Sequence, residues 1–169
     1  MRGLGTSGAS WRLVAIVAVL ALAVPACGGD EGGGEGATGG ATGGGGEATT
    51  VDVTLQEFAV APAVDSAPAG SITFDVTNDG PKDPHEFVVF KTDLAPDALP
   101  TVKDGSVDET GEGVELIGEI EEFDPGNTES TTFDLESGAY VFICNLVEQE
   151  EGKTESHYQE GMRIAFTVE

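Results

Sequence analysis

Two β-type runs near the end of the chain, and the residues between them, limit what it can fold into. The first, Gly138, Ala139, Tyr140, Val141, Phe142 and Ile143, ends at Cys144. The second runs from Met162 through Ile164, Phe166 and Val168 to Glu169. A polar acidic stretch lies between them, followed by His157, Tyr158, Gln159, Glu160 and Gly161. A thiol, an imidazole and a thioether therefore sit where two strands meet. A second imidazole, His85, opens an apolar run upstream through Phe87, Val88, Val89 and Phe90.

The chain has two His, two Cys and two Met. Met1 is the initiator, and Cys27 follows an apolar leader. Beyond residue 50 one Cys, one Met and both His remain, and all four belong to this set. Two imidazoles, a thiolate and a weak axial thioether are the donors of a blue-copper electron-transfer site. Taken singly, each residue reads as readily as a buried free Cys, a core Met or a surface His. The four in this order read as metal ligands: His85, Cys144, His157 and Met162.

Composition bounds the partners. The formal charge is -24, and all 31 acidic residues follow Cys27 against five basic ones, a balance of −26 from there on. That excludes the electrostatic basis of nucleic-acid binding. It suits an exported, self-repelling protein and a basic partner. An acid-rich disordered chain is contradicted by the apolar β-type runs of the second half.

Arg2 and Arg12 precede an apolar run from Leu13 to Val24. This suits a signal peptide, and it is short of the roughly 20 residues that a spanning helix needs. Ala23, Val24, Pro25, Ala26 and Cys27 resemble a bacterial lipoprotein cleavage box, with Pro25 as a departure. The resemblance implies a signal peptide over 1–26 and a lipidated Cys27, with plain secretion as the alternative. Residues 28–50 are built from Gly, Ala, Thr and a few acids, too polar to order themselves. Such a coil reaches roughly 25–30 Å and reads, with Cys27, as a tether over 27–50. The expected location is extracytoplasmic, anchored to the membrane through lipid. Acylation of Cys27 would remove the only partner for a disulfide with Cys144.

From Val51 on, the alternation of Val51, Val53 and Leu55 predicts a half-buried strand, as does that of Ile72, Phe74 and Val76. Residues 61–70 read as turn, and so does the segment from Asn78 to Pro81. The unbroken apolar run after His85 predicts a strand covered on both faces. Residues 92–113, rich in Pro and Gly, read as a long excursion with room for a short helix. Strands are expected again over Val114–Phe123, Thr131–Leu135, Tyr140–Asn145 and Met162–Val168. The pattern is all-β, a Greek-key sandwich or barrel of about seven to eight strands over 51–169. Leu135, Gly138 and Tyr140 resemble a tyrosine corner.

Pro84-His85 at a strand start, Tyr140-x-Phe142-x-Cys144 and His157-x4-Met162 together resemble the cupredoxins, of the plastocyanin and azurin type. The resemblance implies copper as cofactor, His85, Cys144 and His157 as equatorial ligands, Met162 as axial ligand, and electron transfer rather than catalysis. Two departures stand out. The interval from Cys144 to His157 holds twelve residues, 145–156, against a few in short-loop members. Glu86 follows the first His where the family often has Asn, while Asn145 follows the Cys. A tie between the two ligand loops is expected from Asn145 to Glu86, and an ionised Glu86 would lower the potential. Glu148, Glu150, Glu151 and Glu155, against Lys153, would attract a basic redox partner. Copper storage or delivery, and a metal-free binding domain of the same fold, remain as alternatives. No orienting motif supports a hydrolase, and two His are too few for a multicopper oxidase.

Overall fold

The structure, a computed structural model, describes residues 49–150 and 152–169. The expected leader, Cys27 and most of the tether lie outside these residues. In chain order the elements are β1 (Thr49–Gln56), β2 (Ala59–Pro62), β3 (Ser66–Ala67), β4 (Gly70–Gly80), β5 (His85–Lys91), β6 (Glu115–Phe123), β7 (Thr128–Leu135), β8 (Gly138–Ile143), β9 (Val147–Glu150), β10 (Lys153–Ser156), α1 (His157–Glu160) and β11 (Arg163–Val168). One sheet runs β2-β1-β4-β7, a second runs β3-β11-β8-β5-β6, and β9 pairs with β10 alone.

Period-two alternation sets the inner faces. Val51, Val53 and Leu55 of β1, and Ile72, Phe74 and Val76 of β4, are buried while their neighbours are not. These strands are parallel, and β4 pairs antiparallel with β7. Phe74 is the hub of the core: its ring centroid lies 5.5 Å from that of Phe87, 5.2 Å from Phe142 and 6.2 Å from Phe166, three strands of the facing sheet. Each such ring, fully withdrawn from water, contributes about 1.5–3 kcal/mol. Tyr140 donates its hydroxyl to the Glu136 carbonyl at 2.8 Å, closing the tyrosine corner. At Gly118 of β6, an added Cβ would lie 2.6 Å from Cε1 of Phe133, so this strand glycine is where the Phe133 ring closes on the backbone.

β5 is covered on both faces, as its unbroken apolar run requires. Phe87 and Val89 face the sandwich interior. Val88 and Phe90 join a second cluster with Leu99, Val107, Val141, Ile143 and Tyr158. The excursion over 92–113 provides that cover.

The fold departs from expectation in three places. The excursion holds turns and a single bridge, Thr101 to Val107, and no helix. Asp104 and Asp108 accept from backbone N–H groups two residues on, a local bonding that competes with a helix. Residues 61–70, expected as turn, contribute the edge strands β2 and β3, so the two sheets hold nine strands rather than seven or eight. The segment after Cys144, expected as a loop, is the β9–β10 hairpin, turning beside Gly152 at φ 81°.

Candidate metal centre

Each donor residue sits at the end of an element. His85 is the first residue of β5, facing Phe123 of β6 in register. Cys144 follows the last residue of β8, whose partners are β5 and β11. His157 opens α1, a single turn whose N-cap Ser156 accepts from the backbone N–H of Gln159. Gly161, at φ 129°, ends that turn in a conformation that other residues rarely adopt. Met162 comes next, its N–H bonded to the His157 carbonyl at 2.9 Å. The Cys144 N–H donates in turn to the Met162 carbonyl at 3.1 Å.

Three donor atoms converge. Cys144 Sγ lies 3.3 Å from His157 Nδ1 and 3.9 Å from His85 Nδ1, and the two Nδ1 atoms are 3.2 Å apart. All three residues are fully buried, and so is Met162, which joins Cys144 in the inner core. The structure thus gathers His85, Cys144 and His157 into one cluster and puts Met162 in the same buried end, fastened to both Cys144 and His157.

The surroundings favour the neutral forms of His85 and Cys144. Burial first, and the neighbouring His157 second, depress His85 to about 4. Burial pushes the Cys144 thiol up to about 12, against the backbone N–H groups of Glu86 and Leu146. The Glu86 N–H reaches Sγ at 3.5 Å. A thiolate in so dry a place needs a positive partner, which a bound cation supplies. A soft transition-metal ion meets that need.

The two ligand loops are tied. Asn145 donates its backbone N–H to Glu86 Oε1 at 2.9 Å. The Asn145 side chain turns the other way: its Oδ1 accepts from Val107 N–H at 2.6 Å, and its Nδ2 donates to the Val107 carbonyl at 3.2 Å. The partners are those expected from the sequence, and the donor is the backbone N–H of Asn145. Burial lifts Glu86 to about 7, aided by Glu119, Glu109 and Glu121 and opposed by the Asn145 bond. Glu86 therefore titrates near neutrality rather than carrying a full charge.

Sequence reading passed over four participants. Tyr158 Oη donates to the Pro96 carbonyl at 2.8 Å and accepts from Leu99 N–H, docking the excursion on the turn that bears His157. Phe58 meets the His157 ring edge-on at 5.3 Å. Glu57 accepts from the N–H groups of Lys82 and Asp83, just ahead of His85. Asp83 lies close to His157. Tyr158 falls in an unspecified position of the His157-x4-Met162 interval and Asp83 stands beside Pro84-His85, while Phe58 and Glu57 have no motif near them.

No family model matches the sequence, and no curated protein matches it. Among solved structures, the chain resembles the dithionite-reduced auracyanin of the photosynthetic bacterium Roseiflexus castenholzii at 24% identity and a TM-score of 0.51, over 73% of this chain and 99% of the other. It also matches auracyanin A, a blue copper protein of Chloroflexus aurantiacus, at 18% identity and a TM-score of 0.46, over 73% of this chain and 100% of the other. The first likeness establishes the fold: the chain folds as a cupredoxin.

Proposed function

We propose that this chain is a type 1 copper protein that carries single electrons. The observation that carries this reading is the convergence of Cys144 Sγ with the Nδ1 atoms of His85 and His157 within 3.9 Å, buried beside Met162. Bound copper would supply a one-electron couple between its two oxidation states.

The residues divide the work. Cys144 would give the soft thiolate that Cu(I) prefers, the imidazoles of His85 and His157 suit both oxidation states, and Met162 would add a weak thioether donor. The Glu86 and Leu146 N–H groups temper the sulfur's negative charge. Three strands and the capped turn hold the donors in place, so little has to move when the charge changes. Full burial of both imidazoles keeps bulk water and substrates away, which suits an electron carrier better than a catalyst. It also works against handing metal to another protein.

The protein is tethered outside a bacterial membrane through Cys27 and the Gly-rich segment that follows, on the strength of the leader pattern. Its redox partner is basic, given the large acidic excess and the glutamates of the β9–β10 region. A redox titration of the copper-loaded protein tests the carrier reading. It predicts one reversible wave of one electron per chain. A site that releases copper on reduction supports delivery instead.

A further inference from the structure

Three buried side-chain atoms lack a hydrogen-bond partner among the described residues: Nε2 of His85, Nε2 of His157 and Oε2 of Glu57. The Nδ1 atoms of both imidazoles face each other and the Cys144 sulfur. A metal held there would take Nδ1 of each ring, which would leave the ring proton on Nε2. A buried N–H without an acceptor is costly.

Carboxylates stand within reach. One oxygen of Asp83, one of Glu148 and one ring nitrogen of His157 all lie within 4.8 Å of one another. Glu57 is fixed by its Oε1, which accepts from Lys82 N–H at 2.8 Å and Asp83 N–H at 2.6 Å, and its Oε2 is left over. The bond to Asp83 N–H holds the Glu57 carboxylate at the segment that ends, two residues on, at His85. Glu57 thus keeps one buried carboxylate oxygen without a donor, and His85 one buried ring nitrogen without a partner.

We propose, building on the copper reading, that Glu57, Asp83 and Glu148 are positioning residues for the two ligand imidazoles. With copper bound, Glu57 would accept the Nε2–H of His85, and Asp83 with Glu148 would accept that of His157. These bonds fix the tautomer that aims both Nδ1 lone pairs at the metal, and they make each ring a stronger donor. Negative charge on this side stabilises the more positive oxidised state, so the carboxylates lower the reduction potential.

The test uses the full-length protein, loaded with copper, as Glu57→Gln, as Asp83→Asn with Glu148→Gln, and as Glu155→Gln. Glu155 lines the same cleft as Glu57 and Asp83 but stands outside the cluster with His157, so it reports charge alone. Two quantities are read: the reduction potential at low and high ionic strength, and the solvent exchange of the imidazole Nε2 protons by nitrogen-edited NMR of the Cu(I) form. The expected result is a higher potential in Glu57→Gln and in the double variant, retained at high salt. Nε2–H exchange should be faster at His85 in the first and at His157 in the second. Unmoved potentials with unmoved exchange overturn the proposal. So does a shift that matches Glu155→Gln and vanishes with salt, because screening removes long-range charge effects and leaves a buried hydrogen bond. A wild type without a thiolate-to-copper band overturns the copper reading itself, which separates the two failures.

Discussion

The backbone N–H of Asn145 donates to the Glu86 carboxylate at 2.9 Å, and each of these residues directly follows a proposed metal ligand, Cys144 and His85. One bond thus joins the end of β8 to the start of β5, 59 positions apart. The Asn145 side chain then joins the same point to Val107 of the excursion. Cys144 is held from both sides by its neighbour's bonds.

This arrangement predicts the behaviour of Glu86→Ala and Asn145→Ala. Glu86→Ala leaves the Asn145 N–H without its acceptor, and Asn145→Ala leaves the Val107 N–H without one. Each should destabilise the metal-free protein by about 1–3 kcal/mol, measured by urea unfolding. Each should also change the thiolate-to-copper band. Glu86→Gln keeps an acceptor for Asn145 and should retain a band near wild type.

Much of this site is legible in the sequence, because strands fix where a side chain goes. Tyr140, Phe142 and Cys144 alternate on one face, and the spacing from His157 to Met162 is local to a single turn. The rest depends on tertiary approach. Glu57 reaches Lys82 and Asp83 across 25 and 26 positions, and nothing in the strand pattern of β1 announces it. The excursion is visibly rich in turns, but which surface it covers is set by Leu99 and Val107, two apolar residues with no periodicity. The β9–β10 hairpin reads as loop because Val147 is the one apolar residue of its two strands.

The metal-free protein should fold. Phe74, Phe87, Phe142 and Phe166 pack with one another, away from any need for metal. Copper, binding only the folded state, should raise the unfolding temperature by an amount that grows with the logarithm of its concentration over Kd. Calorimetry with and without copper checks both points, and an unfolded metal-free chain would show a metal-nucleated fold instead.

Acid stability of the metal-free protein follows from two opposed groups. His85 falls from 6.5 to about 4 on folding, so between those values the unfolded chain binds the extra proton and stability rises with pH. Glu86 rises from 4.5 to about 7, so in that interval the folded chain binds the extra proton and stability falls with pH. The two should largely offset between about pH 4.5 and 6.5. Glu86→Gln removes the falling contribution, and its stability should climb through this window while wild type stays nearly flat. Parallel curves for the two proteins would count against the assignment.

Docking to a basic partner should depend on the hairpin's charge. Glu148 is left unchanged because of its place beside His157. Changing Glu150, Glu151 and Glu155 together to Gln should slow electron transfer to a basic acceptor protein at low salt. Rates should converge with wild type at high salt, where charges are screened. Stopped-flow kinetics across ionic strength makes the comparison, and equal rates throughout would remove the docking role.

The optical spectrum of the full-length protein loaded with stoichiometric Cu(II) tests the central claim most directly. A thiolate of Cys144 bound to Cu(II) predicts an intense visible charge-transfer band, one copper per chain, and complete loss of the band in Cys144→Ser. A protein that binds Cu(II) and stays colourless would contradict the claim.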